Sequence, residues 1–143
     1  MEDYETAFLQ RSQDVEVLHQ AGRRTAAMHF GGVTIECLLK HMIFNTLPKD
    51  AKREWKTDAT DPGHTFTNPG HSYWDALDRL NQIRSLIERK EKWVRKWLED
   101  VEKPGKHFID LRYNGIEPDD ITYKKWRQSY ISLLGWLQKQ APR

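Results

Sequence analysis

Apolar positions along this chain recur mostly at intervals of three, four and seven residues, the spacing of one helical face. Between residues 2 and 20, Tyr4, Ala7, Phe8, Val15 and Leu18 stand among charged residues and Gly22 offers a stop, which predicts an amphipathic first helix. From Arg23 to Phe44 the pattern changes. Met28, Phe30, Val33, Ile35, Cys37, Leu38, Leu39, Met42 and Ile43 surround the helical axis, which predicts a central, buried helix. Residues 45–70 carry Pro48, Pro62, Gly63, Pro69 and Gly70 among Thr, Asp and Asn, and predict a loop interrupted by a short helical turn around Ala51 to Trp55. Helical spacing returns with Trp74, Leu77, Leu80, Ile83, Ile87, Val94, Trp97 and Val101, long enough to expect a break near Glu88. Pro104 and Gly105 end this stretch, and His107 to Tyr113 form a short connector. A last helix has Pro118 near its first turn, Asp119 and Asp120 at the positive end of its dipole, and a seam of Tyr123, Trp126, Tyr130, Leu133 and Leu137. With no alternating strand pattern and no internal repeat, the expected fold is all-α, an antiparallel bundle of four to five helices.

Length and composition narrow this picture. The 143 residues suit one domain, 1–143, and an 11% aromatic content supplies bulky apolar surface to a chain that is otherwise polar, at a mean hydropathy of −0.84. The longest apolar-rich stretch, Val33 to Phe44, is cut by Glu36, Lys40 and His41, so no membrane span is expected. Met1 to Glu5 lacks the features of a signal peptide, and one cysteine closes no internal disulfide; a cytoplasmic location is the expectation. A net charge of +2 makes no case for nucleic-acid affinity by itself but leaves room for a local basic patch.

Several residues carry possible chemistry. Glu36 and Lys40 are four apart inside the apolar helix, on one face, where a structural ion pair would neutralise both charges; a polar ligand pocket is the alternative. Ala26-Ala27 and Gly31-Gly32 remove side-chain bulk, which suits a tight crossing with another helix of the chain or with a second copy. Arg24 and His29 have the spacing of an Arg-x4-His pair for RNA cleavage, yet five residues place them about 140° apart on an ideal helix. His64, His71 and His107 with Asp58, Asp61 or Asp110 lack any metal-ligand spacing, so no metal and no cofactor is expected, and His71 reads as a capping or loop-anchoring residue. The connector offers Lys106, His107, Arg112 and Tyr113 as a ligand surface that binds phosphate and stacks a base. The competing reading packs Phe108, Leu111 and Tyr113 onto the bundle while Arg112 braces an acidic neighbour. The charges at Glu88 to Lys92 and Arg95-Lys96 read as a solvated helix face.

Taken in order, Ala26-Ala27-Met28-His29-Phe30-Gly31-Gly32-Val33, Glu36-Cys37-Leu38-Leu39-Lys40, the His71 before a Leu-rich helix and the late Leu111-Arg112-Tyr113 resemble the HEPN domain. That name denotes a nucleotide-binding domain of higher eukaryotes and prokaryotes. The resemblance implies an up-and-down bundle of about five helices, commonly a homodimer, often beside a nucleotidyltransferase partner, and in one branch an RNA-cleaving toxin opposed by an antitoxin. That branch has an Arg followed by four to six residues and a His near the last long helix, whereas Arg112 here is followed by no histidine before Pro118. The resemblance therefore implies a noncatalytic module associating with a nucleotide, RNA or a partner protein; the alternative is a toxin with an atypical residue set.

Overall fold

The computed structural model describes residues 3–140; the ends of the 1–143 span, and residue 2 of the expected first helix, lie outside them. Six α-helices and one 3-10 helix occupy the described residues, and none is a strand. α1 runs Tyr4–Gln20 and α2 runs Arg24–Asn45. Asp3 caps α1 by accepting from the Thr6 amide at 3.0 Å. Gly22, at φ +72°, makes the reversal into α2 that a residue with a Cβ would resist. The hairpin is antiparallel, since Tyr4 stacks on Phe44 at 5.8 Å.

α2 is the centre of the molecule. Fourteen of its 22 residues are buried, distributed around the axis, as an all-round apolar helix requires. No helical turn forms at Ala51 to Trp55: only a single turn closes, from the Ala51 amide to the Pro48 carbonyl. Trp55 instead docks from a segment without regular structure, 4.4 Å from the Phe44 ring between centroids and with its indole N–H on Tyr4 Oη at 2.8 Å. Side-chain anchoring wins there over local helix formation.

The stretch from Trp74 to Val101 divides twice, into α3 (Tyr73–Leu77), α4 (Asn81–Arg89) and α5 (Val94–Glu102), which takes the helix count above the expected four to five. Leu77 and Leu80 are both buried across the first break, so the seam continues while the backbone does not. The second break falls just past Glu88, at Lys90 to Trp93, where no buried side chain demands continuity. α6 (Asp120–Gln140) buries the expected seam of Tyr123, Trp126, Tyr130, Leu133 and Leu137. It runs antiparallel to α5, through Ser129 on Asp100 at 2.6 Å and Trp136 on Glu91 at 3.2 Å. It also runs antiparallel to α1, through Arg127 on Glu16 at 2.6 Å and His19 beside Tyr123 Oη at 2.7 Å. Among the described residues no helix is long and apolar enough to cross a membrane.

Gly31 and Gly32 of α2 are consumed within the chain. A Cβ on Gly31 would strike the Trp126 indole, and one on Gly32 would strike Phe108 where its ring joins Cβ. These two glycines thus let α6 and the 3-10 helix approach the α2 backbone and offer no surface to a second copy.

Candidate functional site

The connector after α5 winds into a 3-10 helix, Phe108–Tyr113, pinned to α2 from below. Phe108 is fully buried and stacks on Tyr73 at 5.6 Å, and Tyr73 Oη donates to the Gly32 carbonyl at 2.7 Å. Burial, then the negative charges of Glu36 and Glu102, push the Tyr73 hydroxyl well above its ordinary range, so it stays a donor. His29 Nδ1–H reaches the Phe108 carbonyl at 2.8 Å. Leu111 is buried as well.

His107, expected at the ligand surface, is engaged on both ring nitrogens. Its Nε2–H donates to the His71 carbonyl at 3.0 Å and its Nδ1 accepts from the Ile109 amide at 3.2 Å, an arrangement that caps the 3-10 helix. Glu102 lies 3.6 Å from the same Nε2. Burial raises the Glu102 carboxyl above its ordinary value, opposed by His107 and by the Tyr73 backbone N–H. Next to this group, Lys40 Nζ sits 2.9 Å from Glu36, and His71 Nδ1 donates to the other Glu36 oxygen at 2.6 Å. Lys40 is only 5% exposed, and its charge is matched there. Ser72, not His71, caps α3; His71 anchors the end of the long loop to α2.

Arg24 and His29 are both on α2 but serve different partners. Arg24 donates to the Pro118 carbonyl at 3.1 Å and pairs with Asp120, while His29 holds Phe108. Thr25 adds its amide to Glu117 at 3.0 Å and its hydroxyl to the Ile116 carbonyl at 3.2 Å. Residues 116–120 thereby form a strap across the start of α2.

The pinned connector presents Lys106, Asp110, Arg112 and Tyr113 outward, all exposed. Tyr113 does not pack on the bundle: it is 79% exposed, because the 3-10 turn aims Phe108 and Leu111 inward and leaves it at the rim. Arg112 braces no acid among the described residues; its guanidinium lies over the Tyr113 ring at 4.9 Å. The nearby cleft between Met28, Lys103, Gly105, Lys125 and Trp126 holds about 200 Å³, below the roughly 300–1,000 Å³ of small-molecule sites, and does not enclose a whole nucleotide. No cluster of His, Cys, Asp and Glu among the described residues has the geometry of a metal site.

Comparison with known protein families, with curated proteins and with solved structures returns no match. The sequence pattern signalled Arg112 and Tyr113 through the mixture of cations and aromatics. It missed Glu102 as the neighbour of His107 and His71 as the third member of the Glu36–Lys40 pair, contacts made across 35 residues in the latter case.

Proposed function

We propose that this chain is a noncatalytic HEPN-like binding module that engages an RNA segment or a nucleotide through Arg112 and Tyr113, with Lys106 as a second cation. The observation that carries this reading is the Arg112 guanidinium stacked on a largely solvent-exposed Tyr113 ring, on an element pinned by Phe108 and Leu111. A guanidinium supplies a fork for phosphate, and an exposed aromatic face stacks a base for about 1–3 kcal/mol. Because these side chains lie on open surface, a strand passing over them fits better than an enclosed mononucleotide. The HEPN part of the proposal rests on the sequence resemblance and on an all-helical arrangement centred on α2. With it come a second copy of the chain and a nucleotidyltransferase or antitoxin as partners. RNA cleavage is not part of the proposal, since Arg24 and His29 are engaged with separate backbone carbonyls.

The test is fluorescence anisotropy with a labelled single-stranded RNA. Arg112→Ala is expected to weaken binding about tenfold, as loss of one stacked, phosphate-facing group implies, and the RNA is expected to stay intact. Affinity unchanged by Arg112→Ala overturns the proposal, and cleavage abolished by His29→Ala replaces it with the toxin reading.

A further inference from the structure

Around the turn between α4 and α5, four of six cations have no acidic partner within salt-bridge distance among the described residues, Arg84 pairing with Asp78 and Glu88 and Lys96 with Asp100. Residues 84–96 hold six cations, Arg84, Arg89, Lys90, Lys92, Arg95 and Lys96, against two carboxylates, Glu88 and Glu91, while the whole chain nets only +2. Both carboxylates are already engaged. Glu88 accepts from Arg84 at 2.8 Å and sits in the field of Arg95 and Arg89 as well, one acid among three guanidiniums that hold its carboxyl below the ordinary value. Glu91 accepts from the Trp136 indole of α6 at 3.2 Å and so is drawn toward the bundle. Lys96 pairs with Asp100 at 3.2 Å. Arg89, Lys90, Lys92 and Arg95 are exposed and have no acidic partner within salt-bridge distance among the described residues.

Aromatic rings are set among these cations. Trp93, at the tip of the turn, is 54% exposed, an unusual placement for the largest apolar side chain in a chain that buries Trp126 and Trp136. The Trp74 ring is approached by two guanidiniums, Arg84 at 5.4 Å and Arg95 at 5.1 Å, so Arg95 is held against an aromatic face. The tip sits at the far end of α5 from the connector, about 13 Å of helix away at 1.5 Å per residue.

We infer that the α4–α5 turn is a single-stranded RNA contact surface, in which Lys90 and Lys92 with Arg89 and Arg95 hold phosphates and Trp93 stacks a base. Uncompensated cations complement a polyanion, and an exposed indole ring takes the unstacked bases that a single strand offers and a duplex withholds. An acidic peptide would use the charge but meet the indole face only where it carries an aromatic residue, whereas every nucleotide of a single strand brings a base. The inference shares its ligand class with the function proposed above but stands on different residues.

The experiment titrates a fluorescein-labelled oligouridylate 20-mer into the full chain at several salt concentrations, following anisotropy and tryptophan emission. The double variant Lys90→Glu/Lys92→Glu is expected to bind at least about tenfold more weakly and to flatten the salt dependence by about 1.4 in log–log slope, two single-strand phosphate contacts. Trp93→Ala is expected to lose about tenfold and to abolish the emission quench on RNA addition. Circular dichroism and thermal midpoints matching the parent protein assign these losses to the surface, and the lysine variant carries the test by itself if Trp93→Ala unfolds. Arg112→Ala should leave the quench in place. If the Arg112 variant binds normally while the turn variants fail, this inference stands and the connector proposal falls; the reverse result overturns the inference alone. Equal affinity for a duplex RNA with no dependence on Trp93, or binding to phosphatidylserine vesicles in the absence of any RNA binding, also overturns it.

Discussion

Glu102 is a carboxyl placed where its charge is costly. It is buried, accepts from the Tyr73 amide and faces His107, and burial raises its pKa above the ordinary value. A carboxyl whose folded pKa is raised favours the folded state below its unfolded pKa, and that contribution is lost as pH rises through the folded value. Glu102→Gln keeps an acceptor for Tyr73 and removes the charge. It is therefore expected to raise the thermal midpoint at pH 8, with the gain shrinking toward pH 4; an equal shift at both pH values would show the carboxylate to be solvated. At this scale the sequence was partly legible. Glu36 and Lys40 stand together because a spacing of four is fixed by the helix itself, whereas Glu102, His107 and His71 meet only because α5, the connector and the long loop converge, which no local spacing encodes.

At the scale of elements, the helical period located α1, α2 and α6, and length pointed to the break near Glu88, but nothing in the pattern marked the earlier break between α3 and α4. A break that keeps Leu77 and Leu80 on one buried face leaves the apolar rhythm intact, so periodicity could not report it. Trp55 failed the expected turn for the opposite reason, a tertiary contact with Phe44 overriding local preference. Glycine makes the element-scale prediction. Gly32→Ala thrusts a methyl into the rigid Phe108 ring and is expected to cost about 1–3 kcal/mol or more in urea unfolding. Gly135→Ala, on α6 with nothing within 4 Å of the added carbon, is expected to gain up to about 1 kcal/mol through helix propensity. Similar small effects from both would mean that Gly32 is not in close contact.

For the whole molecule, the all-helical class followed from the pattern and the cations of residues 84–96 could be read from the sequence, but not that four of them would stand around one turn without acidic partners. Leu9, Val17 and Ile131, at least half exposed on helices joined by the Glu16–Arg127 pair, are apolar surface open to the self-association proposed above. Light scattering at micromolar concentration is expected to return twice the chain mass of 17.0 kDa; the single-chain mass would remove the second copy from the proposal.

The strap of residues 116–120 across the start of α2 sets an order of events for a chain emerging from the ribosome. Thr25 waits for Glu117, 92 residues later, and Gly31 waits for Trp126. At about 5–20 residues per second, synthesis leaves α2 without its covering for roughly 5–20 s. Its hairpin with α1 closes early over the Gly22 reversal, but through that interval the face that later meets Trp126 and Tyr130 stands in water, complete in sequence and unfinished in structure.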